Sequence, residues 1–94
     1  MKDTEELIKD LKHKDSSVRR HAGEMLGIIG DKEAVDALIL ASKDKNRFVR
    51  QEAIAALGQI GGVMVMESLT QALGEEKDEF VKDSIRRVLE KSRK

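Results

Sequence analysis

The chain has no cysteine, no proline, no tryptophan and no tyrosine, and its only aromatic residues are Phe48 and Phe80. Without thiols there is no disulfide framework, no thiol nucleophile and no thiolate metal site. A reducing cytoplasm suits such a chain. With two aromatic rings in all, the side chains that stack on bases, sugars or flat cofactors are nearly missing. Net charge is missing as well: 18 Lys and Arg balance 18 Asp and Glu. No overall field draws nucleic acid or an anionic membrane, and binding of either kind would have to come from uneven placement of charge. No apolar run approaches the ~20 residues of a membrane span. The N-terminus, Met1-Lys2-Asp3-Thr4-Glu5-Glu6, carries no targeting pattern. The expectation is a soluble, cytoplasmic protein.

What is present is order. Charged residues make up 38% of the sequence and hydrophobic ones 39%, and the hydrophobic ones are regularly spaced, which a disordered chain has no reason to maintain. At 94 residues the chain is a single domain, well below the roughly 250 residues at which one core divides into two.

A shift of 31 residues superposes the chain on itself. It carries Val18-Arg19 onto Val49-Arg50, Ala22 onto Ala53, Leu26-Gly27 onto Leu57-Gly58, Ile29-Gly30 onto Ile60-Gly61 and Leu38 onto Leu69. With one inserted residue near Gly74, the same register carries Val49-Arg50 onto Val81-Lys82 and Leu57 onto Leu89. The repeat therefore rests on Val18, Arg19, Leu26 and Gly30, on Val49, Arg50, Leu57 and Gly61, and on Val81, Lys82 and Leu89. It divides the chain into a half unit, 1–14, two whole units, 15–45 and 46–76, and a final half, 77–94.

Each unit splits into an A helix and a B helix. Asp15, Asn46 and Asp78 stand where a side-chain oxygen caps free backbone N–H groups. The stripe Val18, Ala22, Met25, Leu26 and Ile29 follows with the three-four spacing of one helical face, and Val49, Ala53, Ala56, Leu57 and Ile60 repeat it. Gly30 and Gly61 supply the left-handed residue that ends a helix. Asp31 can cap the next helix at once, so the connection is short and the two helices pack antiparallel. The B helices carry Ala34, Val35, Leu38 and Ile39, then Val65, Met66, Leu69 and Leu73. This predicts six helices, near 3–13, 16–29, 32–43, 47–60, 63–74 and 79–92, with a frayed basic tail over Lys91-Ser92-Arg93-Lys94. Ala22, Ala53, Ala56, Gly27 and Gly58 are small enough to let helices approach closely. Gly23 stands opposite Ile54 in the next copy and costs about 1 kcal/mol against alanine with no gain visible in the sequence.

The segment from Asp15 through Val18-Arg19, Ala22, Leu26-Gly27, Ile29-Gly30-Asp31 and Ala34-Val35 to Leu38 resembles a HEAT-like repeat of the short type found in phycobilisome lyases. The match covers almost the whole chain, and the resemblance implies a small stand-alone member. The resemblance implies an all-α fold: a short right-handed α-solenoid of about six antiparallel-paired helices. The family's usual proline after the capping residue is Ser16, Arg47 and Glu79 here, which weakens the first turn without threatening the fold.

A branch of the same family, the deoxyhypusine hydroxylases, holds two irons on repeated His-Glu pairs of its A helices. The matching positions here are His21-Ala22, Gln51-Glu52 and Asp83-Ser84, which cannot assemble such a site, and the chain has two histidines in all. His21 and Glu24, three apart on one helix, read as a solvated polar face, and His13 as a surface imidazole in a Lys-rich turn. The glycines at 27, 30, 58, 61 and 62 lack the strand and the Gly-Lys-Ser/Thr signature of phosphate loops and read as helix ends. No histidine is placed as a base for any serine. The expectation is no catalytic residue, no cofactor and no metal ligand.

The A helices carry Arg19, Arg20, Arg47, Arg50, Lys82, Arg86 and Arg87, interspersed with Asp15, Glu24, Glu52, Asp78, Asp83 and Glu90. Recurrence of Arg19, Arg50 and Lys82 at the repeat period reads as ion-pair ladders between units. Nucleic-acid binding is the disfavoured alternative, because zero net charge offers little counterion release.

Three apolar residues break the pattern: Leu40 matches Lys9 and Gln71, while Val63 and Met64 match Lys32 and Glu33. They are the candidate partner-binding residues, on the concave face that B helices line in this family. The competing reading is that they are lone surface hydrophobes, with Met64 folded over the end of the core. The final A helix shows Ile85 where the other copies have Ala22 and Ala53, and Val88 where the second copy has Ala56. It either caps the stack or pairs with the first helix of another chain, giving a monomer or a weak homodimer. The function expected is a non-catalytic protein-interaction or scaffold module. The alternatives are an accessory subunit of a lyase or metal-dependent hydroxylase assembly and, third, a weak nucleic-acid binder.

Overall fold

Short polar side chains set where the helices begin. In the computed structural model, which describes residues 1–92, α1 (Thr4–Asp10) starts after Asp3, whose carboxylate accepts from the Glu6 N–H while Glu6 accepts from the Asp3 N–H. This reciprocal box satisfies two otherwise orphaned donors. Asp15 opens α2 (Ser16–Ile29), Asn46 opens α4 (Arg47–Ile60) and Asp78 opens α6 (Glu79–Lys91). Asp31 caps a 3₁₀ turn, Lys32–Ala34, that leads into α3 (Val35–Ala41). α3 and α5 (Val63–Glu75) begin without a side-chain cap of their own, α3 after Ala34 at the end of that turn and α5 after Gly62. No strand is present among the described residues.

α2 and α4 span the residues that the periodicity predicts. Differences lie at the B helices, where α1 stops at Asp10 and α3 at Ala41. Their last turns tighten into i to i+3 bonds, with Lys12 donating to Lys9 and Lys43 to Leu40, both at 3.0 Å. At the far end, Lys91 is the last helical residue rather than part of a frayed tail, while Arg93 and Lys94 lie outside the described residues.

Two layers result. α2, α4 and α6 stack in parallel, and each of α1, α3 and α5 packs most closely on the A helix that follows it, not, as the short A–B connection predicts, on the A helix before it. The B–A loops (11–15, 42–46 and 76–78) therefore share one edge, called the upper edge here, and the A–B turns at Gly30 and Gly61 share the lower one. Gly30 ends α2 at φ 72° and ψ 20°, and Gly61 follows α4 at φ 75°, the left-handed backbone that glycine adopts without strain. The core runs between the layers: Leu7, Leu38 and Leu69 enter from the B side and Leu26 and Leu57 from the A side, all fully buried. At the ends of the stack, Val18 and Leu89 are only half-buried. Six helices in this all-α solenoid arrangement position everything that follows.

Gly23 corrects the sequence reading. A Cβ there would lie 3.2 Å from the Glu52 Cβ, and one at Gly27 would lie 2.9 Å from the Ala56 Cα. Both glycines let α4 rest directly on α2, so the propensity cost of Gly23 is offset by close stacking.

Candidate functional site

Along the upper edge, each interior loop is held by an arginine from the second turn of an A helix. Arg19 donates from Nη1 to the carbonyls of His13 and Lys14, at 2.8 and 3.1 Å, so it closes its own loop. Its Nε and Nη2 reach forward to both carboxylate oxygens of Asp44, in the next loop, at 2.9 and 3.1 Å. Arg50 repeats this one unit on, donating to the carbonyls of Asp44 and Lys45 and to both oxygens of Glu76. Asp44 and Glu76 also accept the N–H of the capping residues Asn46 and Asp78. One guanidinium thus ties two loops and a helix cap into one network, with bidentate, charge-assisted bonds. Among the described residues Lys82, at the third position, pairs only with Glu79 in its own helix, at 3.2 Å.

A second set of side chains lies beside this ladder. The Arg20 guanidinium sits 5.1 Å from the Phe48 ring centre, and Arg47 lies between two rings, 5.4 Å from Phe48 and 5.0 Å from Phe80. Arg20, Phe48, Arg47 and Phe80 therefore alternate across three A helices, while Phe48 and Phe80 remain exposed. The sequence reading missed this arrangement, although Phe48 and Phe80 occupy one repeat position and their neighbours in sequence signal it. Arg47 fills the space between the rings, so no base or flat ligand fits there.

The basic residues are largely spent. Besides the ladder, Arg20 faces Glu52 at 3.7 Å, Arg47 faces Asp78 at 3.4 Å and Arg86 faces Asp83 at 3.0 Å. Of the seven named on A helices, only Arg87 forms no ion pair among the described residues. His21 and Glu24 meet on the open surface at 3.8 Å. No group of three or more metal-ligating side chains gathers among the described residues, and no described helix is long and apolar enough to cross a membrane.

Leu40, Val63 and Met64 are exposed, at 65%, 75% and 57%. They do not form one patch. Leu40 lies near the upper end of α3, in a groove of about 160 Å³ with Ile8, Leu11 and Ala37 between α1 and α3. Val63 and Met64 occupy the first turn of α5, at the lower edge. The α5 counterpart of Leu40 is Gln71, seven residues beyond Met64, which is roughly 10 Å along the helix.

Stacked parallel helices, the loop-closing arginines Arg19 and Arg50 and the small crossing residues Gly27 and Gly58 recur at the period of the sequence. A family model for HEAT repeats matches residues 4–90. The chain belongs to the HEAT-repeat family. No curated protein sequence matches it as a relative. HEAT repeats commonly mediate protein–protein interaction or scaffolding, and the family is generally non-catalytic. In this HEAT protein the buried arginines serve the stack itself, so a partner surface has to be sought among exposed apolar side chains.

Proposed function

We propose that this chain is a non-catalytic protein-interaction module whose partner seats on the face formed by α1, α3 and α5. The observation that carries the reading is Leu40: a leucine 65% exposed, opening a groove floored by Ile8 and Ala37, where the other copies place Lys9 and Gln71. An apolar side chain of a partner helix or extended segment fits such a groove, and burial of a leucine contributes about 1.5–3 kcal/mol. Val63 and Met64 form a second contact one unit on. The reading assigns the chain no catalytic residue, no cofactor and no metal, a cytoplasmic location, and a monomeric or weakly dimeric state.

The test is capture of partners by the tagged protein from its own cells. Leu40→Lys and Met64→Lys are compared with wild type and with Arg87→Ala, a surface control. Loss of the same captured protein in the first two, with helicity unchanged by circular dichroism, supports the assignment. Unchanged capture removes the site, and stoichiometric iron in natively purified protein overturns the non-enzyme reading.

A further inference from the structure

The two ends of the stack differ in kind. On the α6 side, the positions equivalent to Gly23 and Gly27, which admit the next A helix, are Arg86 and Glu90. Both are exposed. Long charged side chains at the points of closest approach bar a further A helix from that end.

On the α2 side the outward face carries exposed apolar residues toward its lower end, below the exposed His21–Glu24 pair. Residues of α4 that rest on α2 include Glu52, Ala53, Ala56 and Gln59; their counterparts on α2 are His21, Ala22, Met25 and Ile28. Ile28 is 68% exposed, Ile29 is exposed and Met25 is half-buried. The upper edge of this end carries Lys9, Lys12, His13 and Lys14, with Lys2 paired to Asp10 and one further carboxylate, the capping Asp15. The lower edge carries Asp3, Glu5 and Glu6 at the start of α1 and Asp31 and Glu33 beside them, joined by the Thr4 hydroxyl donating to Asp31 at 3.1 Å, against one cation, Lys32. Lys9, Lys12, Lys14, Glu5 and Glu33 form no ion pair among the described residues. One end of the molecule thus presents an apolar stripe with a basic rim above and an acidic rim below.

That pattern complements itself under a two-fold rotation. We infer that the α2 end face binds a second copy of this chain, α2 against α2 in antiparallel, around an axis near Met25. The basic upper rim of each copy then meets the acidic lower rim of the other, and Ile28 is covered on both sides. A head-to-tail array is disfavoured twice: Arg86 and Glu90 block the far end, and the α1–α2 loop has His13 where Asp44 and Glu76 receive the arginine of a preceding unit. The contact is isologous and closes at two copies. A 14-residue helix is about 21 Å long, and an end face two helices wide, α1 beside α2, is about 20 Å across. A footprint of roughly 400 Å² per copy is half that of a stable complex, so the dimer is weak and forms at high concentration.

Sedimentation velocity from about 10 µM to about 1 mM tests this, with the dimer expected to accumulate toward the upper end of the range. Ile28→Glu, at an exposed position, weakens association about tenfold or more with helicity retained. The pair Lys12→Glu and Lys14→Glu also weakens it at low salt. Adding Glu5→Lys and Glu33→Lys to that pair restores it, because each reversed rim again meets its complement. A single-copy mass at the highest concentration overturns the inference. So does an association unaffected by Ile28→Glu, or a charge reversal that the compensating pair does not restore.

Discussion

Gly58 in α4 and Val88 in α6 stand in direct contact: a Cβ built on Gly58 would lie 2.8 and 3.0 Å from the two Val88 methyl carbons. The larger side chain on α6 is seated where the smaller one on α4 leaves room. Gly58→Ala gains helix propensity of up to about 1 kcal/mol but overpacks this crossing by about 1–3 kcal/mol. The net expectation is a loss of about 1 kcal/mol in urea unfolding. Val88→Ala alone leaves a void and is also destabilising, yet the double variant recovers most of the first loss. A coupling energy near zero in that double-mutant cycle would show that the contact does not set the spacing of α4 and α6.

Arg19 is buried and Asp44 nearly so, whereas Arg50 is more exposed. Removing Asp44 leaves a buried guanidinium with half its partners and frees the N–H of Asn46. Asp44→Ala is therefore expected to cost about 3 kcal/mol, in the range of a broken buried pair. Glu76→Ala breaks the equivalent contact at a wetter rung and costs less, about 1–2 kcal/mol. Chemical denaturation of both variants checks the order.

Much of this was legible in the sequence because repetition makes packing visible. Leu7, Leu38 and Leu69 recur with the period and are all fully buried; Asp15, Asn46 and Asp78 recur as caps and act as caps. Gly23 was not legible, since what it makes room for is Glu52, on another helix. Asp44 and Glu76 were legible in principle: each stands two residues before a cap, at the repeat position that His13 fills in the first loop. The separation of Leu40 from Met64 was hidden because a linear pattern shows exposure but not distance along neighbouring helices. Ile29 belonged to a stripe that looks like core, and the end of the stack leaves it exposed; Ile28 lay outside that stripe, at the position where the next copy has Gln59, and gave no signal.

Arg47 lies between Phe48 and Phe80, and its Nε is buried without a hydrogen bond, 3.4 Å from Asp78 Oδ2. Stacking on two rings is what holds the guanidinium there. Exposed cation–π contacts contribute about 0.5–1 kcal/mol each, so Arg47→Ala is expected to cost about 1–2 kcal/mol. Arg47→Met keeps the stem against the rings and recovers part of that loss. Thermal unfolding in low and high salt separates the stack from the Asp78 ion pair, because screening weakens the pair far more.

Asp15 couples α2 to pH. Its carboxylate accepts from the Ser17 hydroxyl at 2.8 Å and from the Ser17 N–H at 2.9 Å, and these bonds, the hydroxyl first, hold its pKa below the ordinary carboxylate value. A carboxylate whose folded pKa is depressed binds its proton more readily in the unfolded chain. Its contribution is therefore fully present above the unfolded value of about 4 and is lost as pH falls through the lower folded value. Asp15→Asn retains an acceptor for the cap but no charge at the helix N-terminus. The variant is expected to be less stable than wild type at pH 7 and to converge with it as pH drops below about 4. Urea midpoints measured from neutral to strongly acidic pH test the sign: a gap that stays constant, or widens in acid, removes Asp15 as a source of acid sensitivity.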